Sequence, residues 1–246
     1  MFNVLSVDDL SQDFLISLWD EAYDRKGKRN KKLNGKILTN LFYEPSTRTS
    51  SSFYSAMKLS GGDVIPINNV TFSSVSKGES LEDTVKTISQ MCDLIVLRHN
   101  IAGSAKIASQ VSGVPIINAG DGNSEHPTQT ILDGYTIYHY FNKKIDNLNI
   151  TLVGDLKNGR TVKSLVKLLT RFKNNKFNFV SPENLRFDGQ LPPNSSEVSD
   201  INKVIEETDI LYVTRVQKER GSKYNYELSI DQLDKIPKNS IVMHPF

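Results

Sequence analysis

The densest chemistry in this 246-residue chain lies in the stretch Glu44-Pro45-Ser46-Thr47-Arg48-Thr49-Ser50-Ser51. Ser46, Thr47, Thr49 and Ser50 are residue types that begin helices, because short side-chain oxygens accept from unpaired backbone N–H groups. A helix N-terminus carries partial positive charge and presents those N–H groups outward. With the fixed charge of Arg48 and several hydroxyl donors added, the stretch suits a phosphate dianion. There is no Gly-rich loop and no Gly-Lys-Ser/Thr, so it is not a nucleotide P-loop. Taken alone, the same residues also describe an ordinary capped helix with a surface arginine.

Further polar clusters stand at Arg98-His99, at Gly120 to Pro127 with His126, at Asp155 to Arg160, and at Arg215. The four histidines form neither a His-x-x-x-His nor a His-Glu pattern, so no metal site is expected. No Gly-x-Ser-x-Gly elbow is present, which argues against a serine nucleophile. The set therefore holds several arginines and one histidine but no covalent nucleophile. Guanidinium forks match carboxylate and phosphate. That points to group transfer between two small anionic substrates by positioning and charge stabilisation, with no cofactor.

The elements that must carry these residues alternate. Ile37 to Tyr43 reads as a buried strand, with a helix beginning after Ser46 and closing at Gly61-Gly62. Ser11 to Tyr23 reads as an amphipathic helix. Strands follow at Asp63 to Ile67, Leu94 to Leu97 and Val114 to Ala119, with helices after Ser80, over Gly103 to Val111 and from Pro127. Asn68 to Glu79 is a long polar connector, of the kind that is often functional. A second alternation begins at Ile150 to Val153, with a helix over Thr161 to Phe172, a strand at Phe177 to Val180, an irregular segment from Ser181 to Ser196, a helix over Ile201 to Glu207, and strands at Ile210 to Thr214 and Ser240 to Met243. The expected class is α/β, two domains over 1–146 and 147–246, each a parallel sheet flanked by helices. Ligands of such sheets bind at the carboxyl ends of strands, where all the polar clusters fall.

Composition is that of an ordinary globular chain: 38% hydrophobic and 24% charged, with Lys+Arg 30 against Asp+Glu 28 for a net charge of +2. No basic tract calls for nucleic acid or a membrane surface as a partner. One cysteine excludes a disulfide framework. No membrane span and no basic-then-apolar leader at the N-terminus is read, so a cytoplasmic location is expected.

Glu44–Thr49, Ser73–Ser80, Leu97–His99, Asn118–Gly122, His126–Gln129, Gly154–Val162, Thr214–Arg220 and Met243–Pro245 stand in an order that resembles the aspartate carbamoyltransferase family over essentially the whole chain. The resemblance implies transfer of a carbamoyl group from carbamoyl phosphate to the α-amine of L-aspartate, an early step of pyrimidine synthesis, in a cleft between the two domains. It implies that Ser46, Thr47, Arg48 and Thr49 hold the phosphate, that Arg98 and His126 face the carbamoyl oxygen, and that Gln129 faces its amino group. Arg160, with Thr161 beside it, Arg215 and Gln217 are implied to receive the aspartate. Ser73 and Lys77 are implied to enter the site of a neighbouring subunit, in a homotrimer with shared active sites. Arg48, Thr49, Lys77, Arg98 and His126 form the implied catalytic set. A regulatory chain or a larger multienzyme polypeptide is compatible with the resemblance as a further partner.

The related ornithine enzymes share the phosphate motif, but Lys77 and the pair Arg215 and Gln217 favour an acidic acceptor. Phe246 falls where the family has leucine, beside the carbamoyl group, and the family pattern continues past that point with a pair of helices. Their absence from this sequence is expected to leave apolar surface uncovered on the first domain. Two other readings are weighed beside the aspartate enzyme: a non-catalytic binding or assembly subunit, and a carbamoyltransferase with a different amino-acid acceptor.

Overall fold

The structure, a computed structural model, describes residues 1–26, 28–68, 78–214 and 228–245. The chain divides into two compact units, Met1–Thr128 and Gln129–Phe246.

In the first unit, β1 (Ile37–Phe42), β2 (Asp63–Ile67), β3 (Leu94–His99) and β4 (Ile116–Asp121) form a parallel sheet in the order β2-β1-β3-β4. Its central strands are apolar on both faces, as a sheet covered on both sides requires: Ile95, Val96 and Leu97 are buried completely or nearly so. One face packs Val85, Ala105 and Ala108, from α3 (Leu81–Ile88) and α4 (Ser104–Val111), onto Leu41, Ile95 and Leu97. The other packs Met57 and Phe53, from α2 (Thr47–Leu59), onto Leu38, Phe42 and Val96. α1 (Gln12–Arg25) buries Leu15 and Trp19, while Phe14, on the same expected face, is 41% exposed.

The chain start adds a detail that periodicity does not reveal. Val4 bridges Ile117 in parallel, and Val7–Asp9 forms a 3-10 turn whose Val7 N–H donates to Glu125 Oε2 at 2.8 Å. This ties the loop before His126 to the N-terminal segment.

In the second unit, β5 (Asn149–Val153), β6 (Lys176–Val180), β7 (Ser195–Val198), β8 (Ile210–Val213) and β9 (Ile241–Met243) form a parallel sheet in the order β7-β6-β5-β8-β9. α6 (Arg160–Leu169) buries Val162, Leu165, Val166, Leu168 and Leu169. α5 (Pro127–Tyr140) leads into this unit and α7 (Ile230–Leu233) is one capped turn.

Two expectations are corrected. The segment 181–196 is not wholly irregular: its end enters the edge strand β7, whose sequence Ser-Ser-Glu-Val carries no apolar signal because an edge strand is largely exposed. Ile201 to Glu207 is not one α-helix but two 3-10 turns, Ile201–Lys203 and Ile205–Glu207. Val204 between them sits at φ −131°, outside the helical region, and β-branched residues on either side give little helix propensity to resist that break.

Candidate active site

Strand order decides where the chemistry gathers. In the first sheet the chain leaves β1 toward β2 on one side, then returns to β3 on the other, so the switch point lies between β1 and β3. Phe42 pairs with Arg98 across that junction, and Tyr43 N–H donates to the Arg98 carbonyl at 2.8 Å. The β1 exit carries Glu44 to Thr49 and the β3 exit carries Arg98. Their side chains meet: Arg98 Nε donates to Glu44 Oε2 at 3.2 Å in a largely sheltered ion pair. Glu44 has no role assigned from its type alone, and the structure makes it a partner that holds Arg98 Nε.

Ser46 occupies the N-cap of α2 but its hydroxyl makes no capping bond, contrary to the expectation from residue type. Ser11, Ser80 and Ser229 each cap the helix they precede, accepting from the Phe14, Asp83 and Gln232 amides. The first-turn amides of α2 are thus not closed off by the side chain that leads into it, which suits a helix start meant for an external anion. Thr47 and Arg48 are exposed there and Thr49 half-buried. Asn40, buried on β1, donates through Nδ2 to the Ser50 carbonyl at 2.9 Å and ties this first turn to the sheet.

The neighbouring residue of Arg98 turns away from this chemistry. His99 Nδ1 accepts from the Ile101 N–H at 3.0 Å and contacts Ser104 Oγ at 2.9 Å, and its ring lies 4.4 Å from that of Tyr43. Burial lowers its pKa, so it serves as a neutral acceptor. His126 is buried at the foot of α5, after β4, with Nδ1 3.3 Å from Thr128 Oγ1. The loop that delivers it is held at both ends. Asp121 accepts from the Gly103 N–H at 2.8 Å and Glu125 accepts from Ser6 and Val7. Ser46, Thr47, Arg48, Thr49, Arg98 and His126 thus issue from the carboxyl ends of three strands that are neighbours in the sheet.

The second sheet repeats the device, with its switch point between β5 and β8. The β5 exit carries Gly154 to Gly159, and Arg160 and Thr161 open α6 behind Gly159, which offers no side-chain cap. Asp155, fully buried, accepts from the Asn158 backbone at 3.0 Å and from its Nδ2 at 3.1 Å, closing the loop that ends at Arg160. Gln129, half-buried on the first turn of α5, donates through Nε2 to Asp133 Oδ1 at 2.9 Å. Asp133 and Tyr212 escape a reading by residue type. A Gln-Asp pair four residues apart on a helix is a legible local signal, but the Tyr212 contact is not.

Ser73, Lys77, Arg215, Gln217 and Phe246 lie outside the described residues. Among the described residues no group of three or more His, Cys, Asp or Glu could hold a metal ion, and no helix is long and apolar enough to cross a membrane.

Fold and site together define a class: a protein of two parallel-sheet units with arginines and helix starts lacking a side-chain cap at their switch points. Residues 3–139 match the family described as aspartate/ornithine carbamoyltransferase, carbamoyl-P binding domain, and residues 146–246 match its Asp/Orn binding domain. The chain belongs to the aspartate/ornithine carbamoyltransferase family. Within it, the chain is 46% identical to the aspartate carbamoyltransferase catalytic subunit of Methanococcus vannielii, over 100% of this chain and 86% of the relative. Among solved structures it resembles aspartate transcarbamoylase from Trypanosoma cruzi in complex with carbamoyl aspartate and phosphate (TM-score 0.89, 34% identity, 99% of this chain and 83% of that one). It also resembles the catalytic subunit of Methanocaldococcus jannaschii aspartate transcarbamoylase (TM-score 0.85, 41% identity, 100% of this chain and 86% of that one).

Proposed function

We propose that this chain transfers the carbamoyl group of carbamoyl phosphate to the α-amine of L-aspartate, giving N-carbamoyl-L-aspartate and phosphate in pyrimidine biosynthesis. The observation that carries the reading is the placement of Arg48, Arg98 and His126 at adjoining strand ends around the β1–β3 switch point. We assign residues 1–146 to carbamoyl phosphate and 147–246 to aspartate, a division supported by the extents of the two family matches.

In this mechanism the α2 amides, Ser46, Thr47, Arg48 and Thr49 hold the phosphate. Arg98 and His126 stand at the carbamoyl oxygen and Gln129 at its amino group. The aspartate amine attacks the carbonyl carbon, and the carbonyl π electrons move to the oxygen, where negative charge develops. Preorganised donors at such an oxygen are worth about 3–4 kcal/mol each in the transition state. Collapse of the tetrahedral species expels phosphate, whose charge Arg48 and Lys77 offset, and the phosphate accepts the amine proton. Arg160, Thr161, Arg215 and Gln217 receive the aspartate carboxylates, and Phe246 borders the carbamoyl group. No covalent intermediate on the protein, no metal and no cofactor is required.

The direct test is formation of carbamoyl aspartate from the two substrates. Steady turnover is expected. A folded protein that binds phosphate yet forms no product would instead make the chain a binding or assembly subunit.

We also propose that the chain acts in the cytoplasm as a homotrimer in which Ser73 and Lys77 complete a neighbour's site, a reading supported by its family membership. Mixing an inactive Arg48→Ala chain with an inactive Lys77→Ala chain should then restore part of the activity. If sites are shared, some sites in a mixed trimer receive both wild-type residues. Mixed trimers that stay inactive would overturn the sharing.

A further inference from the structure

One buried carboxylate near the proposed site has no part in the mechanism above. Asp133 lies one helical turn beyond Gln129 on α5 and is 6% exposed. Its Oδ1 accepts from Gln129 Nε2 at 2.9 Å, and its Oδ2 accepts from Tyr212 Oη at 2.7 Å. Tyr212 is on β8 and fully buried, and the Thr161 hydroxyl of α6 lies within hydrogen-bond reach of its phenol. The chain of contacts therefore runs from Gln129 to the start of α6, where Arg160 stands.

An ionised carboxylate can only accept, whereas a primary amide has a donor end and an acceptor end. With both Asp133 oxygens accepting, the Gln129 carboxamide has one allowed orientation toward it. Nitrogen faces Asp133, and the carbonyl oxygen turns to the other side. An acceptor is what the NH2 of a carbamoyl group needs; a turned-over amide would set donor against donor.

We propose that Asp133, held by Tyr212, is a positioning residue that fixes the Gln129 carbonyl oxygen toward the carbamoyl NH2. It thereby makes the site select a carbamoyl phosphate over an acyl phosphate that lacks that amine. The inference rests on the reading that Gln129 meets the carbamoyl amino group. Selection by a placed acceptor follows because a substrate without the NH2 gives up that hydrogen bond.

The same arrangement has a consequence for pH. Burial raises the Asp133 pKa to about 6, against the opposing hydrogen bonds of Tyr212 and Gln129. Among the described residues those two are the groups that hydrogen-bond to it, and the Tyr212 phenol is itself raised well out of the working range by burial and by the Asp133 charge. Below about pH 6 Asp133 carries a proton and can donate to Gln129 Oε1. The carboxamide then turns over, and the acceptor for the carbamoyl NH2 is lost as pH falls.

The experiment measures KM for carbamoyl phosphate from pH 5 to 8, and turnover with acetyl phosphate, for the wild type, Asp133→Asn, Tyr212→Phe and Gln129→Ala in the full chain. The wild type should show KM rising as pH falls through about 6. Asp133→Asn should raise KM at pH 7.5 about tenfold, the scale of one mispaired hydrogen bond, flatten that acid limb and narrow the preference over acetyl phosphate. Tyr212→Phe keeps the ring but removes a donor from the carboxylate, so its limb should move to higher pH. A Gln129→Ala chain with unchanged KM would overturn the reading of Gln129 itself. If Gln129→Ala raises KM while Asp133→Asn keeps the wild-type limb and preference, or Tyr212→Phe leaves the limb in place, the positioning role alone is wrong.

Discussion

Replacing Arg98 by alanine is expected to lower turnover about a hundred- to a thousandfold, with a small change in thermal stability. The size follows from the job. Loss of one preorganised donor at a developing oxyanion typically costs about 10²–10³ in kcat. The structure explains why this arginine is preorganised. It stands at the last position of β3 that pairs with β1, opposite Phe42, and Glu44 grips its Nε at 3.2 Å. Side-chain exposures of 17% and 27% mean that water only partly screens the pair. In the proposed mechanism the fork therefore reaches the reaction with its heading already set. Lysine at this position should recover little, because a single ammonium cannot be both gripped by Glu44 and aimed at the oxygen. Glu44→Gln should fall between wild type and Arg98→Ala. It keeps a neutral acceptor for Nε while removing the charge that orders the arginine. Steady-state kinetics with both substrates varied, beside a melting curve, check all three. An Arg98→Ala enzyme within tenfold of wild-type turnover would remove Arg98 from the carbamoyl oxygen.

The largest structural effect is expected at Gly154, immediately after β5. Its φ of +114° is reached cheaply only without a Cβ. A Cβ there would stand 2.6 Å from the Thr214 carbonyl oxygen and 2.7 Å from Thr214 Oγ1. Thr214 cannot retreat easily, since its N–H and its hydroxyl both donate to the Val153 carbonyl, at 2.8 and 3.1 Å. Strain and overlap together should cost about 3 kcal/mol or more in Gly154→Ala. For a chain of this size that is a fall of roughly 6–12 °C in the thermal midpoint. Gly35→Ala is the matched control: φ is +76°, but a Cβ there meets nothing within 4 Å. It should cost only about 1–2 kcal/mol, the left-handed penalty alone. Equal midpoints for the two variants would show that the close approach of Thr214 carries no weight. Because Gly154 opens the loop that ends at Arg160, the alanine variant should also raise KM for aspartate more than KM for carbamoyl phosphate.

Much of the candidate site is legible in residue order because its parts are local. Ser80 announces its helix by a bond within one turn, and Pro127 opens α5 for the same local reason. Buried parallel strands such as Ile95 to Leu97 read as apolar runs whatever their neighbours are. The exceptions are equally physical. Ser195–Val198 becomes a strand only because Phe177 to Val180 lies beside it to pair with. Ser46 has the right type for a cap yet makes no capping bond, which side-chain identity does not reveal.

From the sequence by itself follow the α/β class, the helix starts and the inventory of arginines, hydroxyls and histidine that suit anionic substrates. These depend on interactions spanning a few residues and on side-chain chemistry, both written directly in residue order. Tertiary structure alone decided which of those groups meet. Strand orders β2-β1-β3-β4 and β7-β6-β5-β8-β9 put the β1 and β3 exits together, and likewise the β5 and β8 exits. The Glu44–Arg98, Val7–Glu125 and Asp133–Tyr212 contacts join residues 54, 118 and 79 positions apart. Such pairs carry no local signature, because their energy comes from burial and geometry that exist only once the sheets have closed around them.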